Sequence, residues 1–325
     1  MSAPSFKIDD IFGVKGQVVV ITGGGTGIGK AITAGFAQNG AKVYITGRRK
    51  EVLDAAAKDI GGDITSIQGD VSTKEGCGAL AEAIAAKESK IDTLINCAGV
   101  MRGWRHTIDN HDDPDQVQKL LWEGHEDDDF NYSNSINVNG ELVYRDSRAS
   151  SIIADLIIST HFAGVYFTTA ALVPLLRKSD SPSVVVIASI AGLANQRAMG
   201  TVSYGVSKVS EYYSAIHLST LLAGRLHPMK IRVNTICPGI FPSEMTGKSA
   251  STEGHTYNLA DGAAKAAKRS TVGRPGNPEE IVGPVLLLSS RAGGYIDGAI
   301  LTVDGGRLMG AGINDGLRLP EETYI

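Results

Sequence analysis

The chain has 325 residues, of which 42% are apolar and 20% are charged, which allows a sizeable core and excludes a disordered chain. Lys and Arg total 31 against 35 Asp and Glu, a net charge of −4 without any basic run, which argues against a nucleic-acid-binding face. No apolar run reaches signal-peptide or membrane-spanning length, so we expect a cytoplasmic protein without membrane contact.

Cysteine and histidine give no framework for disulfides or metals. Cys77, Cys97 and Cys237 are odd in number and widely spaced, as in proteins of reducing compartments, and the seven histidines are scattered. We therefore expect no metal site. Glycine is frequent, at 39 residues of 325 against a usual level of about 7%, which indicates many tight turns.

Short apolar strands alternate with amphipathic helices along the chain. QVVVIT and KVYIT are each followed by a segment of helical periodicity, GIGKAITAGFAQNGA and RKEVLDAAAKDI. This alternation predicts an α/β fold, a doubly wound parallel sheet of the Rossmann type with helices on both faces. Its seven strands are predicted near residues 17–22, 42–46, 64–68, 92–95, 183–188, 231–236 and 299–303.

A glycine-rich loop joins the first strand to the first of these helices. Gly23, Gly27 and Gly29 let the backbone turn sharply and approach a pyrophosphate, and Thr26 and Ile28 lie between them at the helix N-terminus. A glycine pattern alone is weak, but a strand before it and a helix after it favour a dinucleotide site.

The end of the second strand indicates which dinucleotide is bound. NAD-binding folds usually carry an acidic residue about 20 residues beyond the glycine loop, whereas this chain has Arg48 and Arg49 there. Guanidinium groups suit the 2′-phosphate of NADP(H), which we expect to be the cofactor. The alternative is that the two arginines simply begin a helix in solvent.

Tyr204 and Lys208 stand one helical turn apart in SYGVSK. A cation beside a phenol lowers a pKa that is otherwise about 10, although both residue types are also common on half-exposed helices. Four further signatures surround the pair: Asp70-Val71, Asn96-Cys97-Ala98-Gly99, Ser189 in S-x-x-G, and Pro238-Gly239 after a strand. In this order the motifs resemble those of the short-chain dehydrogenase/reductase family, and the resemblance runs from about Gln17 to Gly306.

The resemblance implies roles for these residues. Tyr204 would be the general acid or base, Lys208 would lower its pKa and hold the nicotinamide ribose, and Ser189 would bind the substrate oxygen. Cofactor contacts are implied for Gly23, Thr26, Gly27, Ile28, Gly29, Arg48, Arg49, Asp70, Val71, Asn96, Ala98, Gly99, Tyr204, Lys208, Pro238, Gly239, Ile240 and Ser243. Thr26 departs from the basic residue that many NADP-preferring members place in this loop.

His161 is a second departure from the family pattern. In STHFAGVYFTT it stands where the family has an Asn that helps hold a water beside the catalytic lysine. Imidazole also donates and accepts hydrogen bonds, so His161 is a candidate for the same proton relay. The alternative is a packed helix histidine, with the relay built from other groups.

Residues 101–150 form an insertion into one domain that we expect to span 1–325, with short terminal extensions. The insertion has 5 Lys and Arg against 11 Asp and Glu, a net charge of −6, and holds both tryptophans, Trp104 and Trp122. DPDQVQKLLWEG predicts a short helix within it. The insertion leaves the carboxyl end of a strand, which favours a lid or a subunit contact over solvated decoration.

The expected function is an NADP(H)-dependent carbonyl reductase or alcohol dehydrogenase of specialised metabolism, similar to microbial and fungal members of the family. The alternative is a protein of the same fold with non-redox chemistry, such as cyclisation or dehydration, or a dinucleotide sensor. We expect a small carbonyl or alcohol substrate, which the sequence does not name, and a homo-oligomer, a dimer or tetramer, paired through helices 150–176 and 201–226.

Overall fold

The structure, a computed structural model, describes residues 5–100, 108–109, 113–124, 126, 129, 164–193, 217–247 and 258–312. His161, Tyr204 and Lys208 lie outside these ranges. The strands are β1 Val18–Thr22, β2 Lys42–Gly47, β3 Ile64–Gln68, β4 Thr93–Asn96, β5 Ser183–Ile187, β6 Arg232–Pro238 and β7 Ile300–Val303. The described α-helices are α1 Ile8–Phe12, α2 Gly27–Gln38, α3 Lys50–Ile60, α4 Lys74–Ala85, α5 Pro114–Glu123, α6 Gly164–Leu176, α7 His217–Leu226, α8 Asp261–Lys268, α9 Pro278–Ser289 and α10 Arg307–Gly312.

The seven strands form one parallel sheet in the order β3-β2-β1-β4-β5-β6-β7. This confirms the predicted doubly wound sheet, with strand ends within two residues of those expected. The largest difference is at β6, which continues because Cys237 and Pro238 still pair with Thr302 and Val303 of β7. The strand order reverses between β1 and β4, so a ligand crevice is expected at their carboxyl ends.

Alternate residues of the strands bury opposite faces of the sheet. In β1, Val19 and Ile21 pack with the cluster that holds Phe36 of α2, whereas Val18 and Val20 pack with the cluster that holds Leu172 of α6. Helices α2, α3 and α9 contribute to the first cluster, and α4, α6 and α7 contribute to the second. The period of two along a strand therefore builds two apolar layers, which hold the strand ends in fixed register.

Asp92 fastens the amino-terminal side of the sheet. It is 7% exposed and accepts hydrogen bonds from Val18 N at 2.9 Å, Ser179 Oγ at 2.6 Å and Lys90 Nζ at 2.9 Å. Burial alone would raise the pKa of Asp92, but these donors outweigh it, and the pKa lies below its ordinary value. The carboxylate thus links the start of β1 to the segments that precede β4 and β5.

The predicted helix within the insertion is present as α5. Asp113 caps it by accepting from Asp115 N and Gln116 N, and Leu120 faces inward. Trp122 in the same helix is 84% exposed. The role of the insertion as a lid or a subunit contact stays a prediction. Within the ranges that the structure describes, no helix is long and apolar enough to cross a membrane.

Candidate active site

The glycine loop between β1 and α2 lies where the sheet reverses its order. Gly23 has φ +70°, and a Cβ there would come within 2.9 Å of Ala98 Cα, so only glycine allows the two backbones to approach. A Cβ on Gly29 would lie 2.1 Å from Gly23 O. The hydroxyl of Thr33 donates to Gly24 O and Gly29 O, which holds the loop on the first turn of the helix.

Thr22 ties the loop after β4 to the glycine loop. Its Oγ1 accepts from both Cys97 N and Ala98 N at 3.0 Å. Asn96, at the end of β4, is 4% exposed and donates through Nδ2 to Thr169 Oγ1 of α6 at 3.1 Å. These contacts place the carboxyl ends of β1 and β4 side by side, with the loop after β4 forming one wall of a cleft.

The cleft brings together eight of the eighteen predicted cofactor residues, of which Tyr204 and Lys208 lie outside the described ranges. Its walls are the glycine loop, the ends of β2 and β3, and the loop after β4. Eight predicted residues line it: Gly23, Thr26, Arg48, Arg49, Asp70, Val71, Ala98 and Gly99. Arg48, Arg49 and Asp70 are its charged side chains, at the end where β2 and β3 lie.

The loop after β6 also reaches this cleft. A Cβ on Gly27 would be 2.9 Å from Ser243 Cβ, which places predicted Ser243 against the N-terminus of α2. Beside it, Glu244 Oε2 pairs with Arg49 Nη2 at 2.8 Å. The sequence analysis did not single out Glu244, because the pair joins residues 195 positions apart and only its place after Pro238-Gly239 hints at a cofactor contact.

Gly27, Ile28 and Gly29 form the first turn of α2, whereas Ser189 follows β5, and Pro238, Gly239 and Ile240 lie at or just after the end of β6. Ser189 is half-buried, and its Oγ accepts from Ala191 N at 3.1 Å at the start of a 3-10 turn. Gly239 N donates to Val303 O at 2.9 Å, and Ile240 packs on Ala266 and Ala267. Pro238 ends β6, beside Val303 of β7.

The cleft fits a dinucleotide. The glycine loop leaves no room for side chains where a pyrophosphate would meet the N–H groups of α2, which is the geometry that such phosphates need. The buried Thr46 Oγ1, at the edge of the cleft, has no hydrogen-bond partner among the described residues, so a ligand hydroxyl would satisfy it. Within the same ranges, no group of three His, Cys, Asp or Glu residues could hold a metal ion.

A doubly wound parallel sheet with a glycine loop and a cleft at its switch point defines a dinucleotide-binding protein of the Rossmann type. A family model described as short chain dehydrogenase matches residues 17–123, and one described as enoyl-(acyl carrier protein) reductase matches residues 144–307. The chain belongs to the short-chain dehydrogenase/reductase family of oxidoreductases.

Relatives in fungi and bacteria cover almost the whole chain. It is 32% identical over 313 residues to the short-chain dehydrogenase/reductase PhomF of Diaporthe leptostromiformis, which covers 94% of this chain and 96% of that protein. It is 29% identical over 304 residues to the rhamnolipids biosynthesis 3-oxoacyl-[acyl-carrier-protein] reductase of Pseudomonas aeruginosa, covering 91% and 97%. Among solved structures, the Pseudomonas aeruginosa RhlG/NADP active-site complex matches with a TM-score of 0.69 and 26% identity, covering 92% and 99%.

Proposed function

We propose that the chain is an NADP(H)-dependent oxidoreductase that transfers hydride between nicotinamide and a ketone or secondary alcohol in specialised metabolism. The observation that carries the proposal is the complete set of Ser189, Tyr204 and Lys208, in family order, in a chain of this family. Members of the family with non-redox chemistry often lose one of the three groups, so the intact set argues against that alternative. The rhamnolipids biosynthesis reductase among the relatives favours the metabolic setting, and the NADP named in the RhlG structure favours the cofactor.

The preference for NADP(H) over NAD(H) rests on charge at the end of β2. Arg48 and Arg49 line the cleft directly after β2, where an NAD-binding chain would present a carboxylate. Arg48 is exposed, and its backbone O accepts from Gln68 Nε2 at 2.8 Å, which fixes the main chain under the side chain. Arg48 is the first residue after β2, where an NAD-binding chain would present its carboxylate, so we expect the larger phosphate contact from it, while Arg49 pairs with Glu244.

The reaction needs a proton at the substrate oxygen and a donor that stabilises the charge forming there. Bound NADPH supplies the hydride. In the direction of reduction, Tyr204 donates its phenolic proton to the carbonyl oxygen, and the Lys208 ammonium lowers the pKa of that phenol. The Ser189 hydroxyl donates a hydrogen bond to the same oxygen, and it can do so while its Oγ still accepts from Ala191 N, because a hydroxyl donates and accepts at once.

The test is a screen of ketones and aldehydes for NADPH oxidation, followed by Tyr204→Phe on any substrate found. The variant should lose turnover while NADPH still binds, because only the transferable proton is removed. Tyr295→Phe is the matched control, since Tyr295 is fully exposed. Unchanged turnover in Tyr204→Phe would reject Tyr204 as the acid. If the protein binds NADPH but none of the tested carbonyl compounds leads to NADPH oxidation, the non-redox alternative is favoured.

The quaternary structure is part of the same proposal. We expect one domain over residues 1–325 that pairs with a second copy through the long helices, of which α6 and α7 are the described parts. Light scattering at micromolar concentration should give a dimer or tetramer. A monomer would contradict the expectation. The cytoplasmic location also stays a prediction.

A further inference from the structure

A threonine hydroxyl holds the loop that follows β6. Thr246 Oγ1 lies 2.7 Å from Phe241 O and 3.1 Å from Ser243 Oγ, and it accepts from Ser243 N at 3.0 Å. Its backbone joins the returning part of the loop, because Ala260 N donates to Thr246 O at 2.8 Å. Thr246 is not among the residues that line the dinucleotide cleft, and the sequence analysis gave it no role.

The direction of these hydrogen bonds follows from the single proton of the Thr246 hydroxyl. Two oxygen atoms 2.7 Å apart need a proton between them, and a carbonyl has none to give, so Thr246 donates to Phe241 O. The carbonyl oxygen of Ser243 is a poorer acceptor for this proton, because it lies 3.4 Å from Thr246 Oγ1. The proton of Thr246 is therefore committed, and in the contact between the two hydroxyls Ser243 is the donor.

Ser243 is thereby left with acceptor capacity only. Its hydroxyl proton points to Thr246, and no described residue donates to the lone pairs of Ser243 Oγ. A ligand atom that meets Ser243 Oγ must then bring a proton of its own. A phosphate oxygen only accepts hydrogen bonds, so the pyrophosphate of a dinucleotide is not a suitable partner for this side chain.

The acceptor at the end of this chain of hydrogen bonds is fixed. Phe241 is 5% exposed, and a Cβ on Gly276 would come within 2.3 Å of its ring, so the ring lies directly on the glycine backbone. Beside it, Gly276 N donates to Ile240 O at 2.9 Å. Because the backbone of Phe241 is held in this way, the Thr246 proton keeps its acceptor, and little freedom is lost when a ligand binds at Ser243.

Ser243 lies on the side of the cleft where the nicotinamide half of a dinucleotide is expected. A Cβ on Gly27 would be 2.9 Å from Ser243 Cβ, which places Ser243 beside the N-terminus of α2. Arg48 and Asp70 mark the adenosine side at the ends of β2 and β3, whereas β5 and β6 lie beyond the switch point between β1 and β4. The carboxamide of nicotinamide carries an NH₂ group, which is a donor of the kind that Ser243 needs.

We propose that Thr246 is a positioning residue of the cofactor site, which fixes Ser243 as an acceptor for the carboxamide NH₂ group of NADP(H). The inference rests on the proposed function, since it needs a dinucleotide in the cleft. Thr246 acts through Ser243 and does not touch the cofactor. The hydrogen bonds then run in one direction, from the NH₂ group through Ser243 and Thr246 to Phe241 O, and this order disfavours a ring that offers only an acceptor at the same place.

The test is calorimetric titration of the full chain with NADP⁺ and with its 3-acetylpyridine analogue, in which a methyl group replaces the NH₂ group and the carbonyl remains. The parent should bind the analogue about 2- to 12-fold more weakly, the loss of one neutral hydrogen bond. In Thr246→Val the ratio of the two dissociation constants should fall by about twofold or more, because the freed serine hydroxyl can donate to the remaining carbonyl. Comparing this ratio between variants cancels any other difference between the two rings.

Two further variants control for the structural role of the hydroxyl. Thr246→Ser keeps the donor to Phe241 O and should keep the parent ratio. Ser270→Ala is the matched control, because Ser270 Oγ also holds a turn, by donating to Ala267 O at 2.8 Å, but does not line the cleft. This variant should also keep the parent ratio.

Ser243→Ala tests the inference even if Thr246→Val does not fold. Removal of the acceptor should weaken NADP⁺ binding by about 2- to 12-fold and leave the analogue unchanged. The inference is overturned if Ser243→Ala keeps the parent ratio, or if a folded Thr246→Val keeps it, while NADP⁺ still binds. Failure of NADP⁺ to bind to the parent protein would overturn the cofactor assignment of the proposed function, and this inference with it.

Discussion

Glu244→Gln should tighten NADPH binding without affecting NADH. Arg49 lines the cleft at the end where we place the 2′-phosphate and pairs with Glu244, so the carboxylate competes with that phosphate for the same guanidinium. The side chains of Arg49 and Glu244 are 56% and 42% exposed, which makes this a surface ion pair, and such pairs contribute about 0.2–1 kcal/mol. Loss of the pair should therefore lower the NADPH dissociation constant by about 1.4- to 5-fold.

The assay is fluorescence titration of both dinucleotides into the parent protein and the variant at low ionic strength. Glu279→Gln is the matched control, because it removes one exposed carboxylate from the start of α9 and should change neither constant. The gain should shrink in higher salt, which screens exposed charges. An equal gain for NADH, or no gain for NADPH, would refute the competition between Glu244 and the phosphate.

Four further outcomes follow from the same geometry. Arg48→Ala should weaken NADPH binding by about 1.5–3 kcal/mol in titration and leave NADH binding unchanged, because one charge-assisted phosphate contact is lost. Equal dissociation constants of the parent for NADPH and NADH would contradict this. Gly29→Ala should abolish binding of both dinucleotides while the chain stays folded by circular dichroism, because the added Cβ displaces the glycine loop. Asp92→Asn should lower the free energy of unfolding at pH 7 by about 1–3 kcal/mol, because the variant loses the hydrogen bonds that the carboxylate accepts. Since the pKa of Asp92 is lowered in the folded state, its contribution to stability is present above about pH 4 and is lost as the pH falls further. The difference in stability between parent and variant in urea titrations should therefore shrink in acid. His161→Leu should slow turnover by about 10-fold or more, about 1.4 kcal/mol, with His161→Asn retaining most activity, and an unchanged pH profile in His161→Leu would reject the relay.

The elements that the sequence predicted are those specified by neighbouring residues. The β1 run and the glycines after it encode a strand, a turn with positive φ at Gly23, and a helix start, and the structure has each of them in place. The cleft lining at Arg48 and Asp70 was predictable for the same reason. Arg48 is the first residue after β2 and Asp70 is the second residue after β3, and parallel strands bring their carboxyl ends to one edge of the sheet.

Contacts between distant segments could not be predicted in this way. The Arg49–Glu244 pair depends on where the loop after β6 returns, and the donors to Asp92 come from residues 18, 90 and 179. The burial of Arg307, which is 5% exposed, gave no signal in the sequence, because an arginine after a glycine turn is expected in solvent. Helix α1 lacked the length for a periodic pattern.

Net charge is a poor guide to the ligand of this chain, because its charges are unevenly distributed. The whole chain carries −4, yet residues 101–150 alone carry −6, so the remainder, which supplies the sheet, carries about +2. The cationic groups that our proposed function uses, Arg48 and Arg49, line the cleft at the carboxyl edge of that sheet. Exposed charges beyond about 10 Å are screened at ordinary ionic strength, so an anion at this edge responds to these guanidinium groups rather than to the chain total. An acidic protein can therefore hold a dinucleotide that carries an additional phosphate.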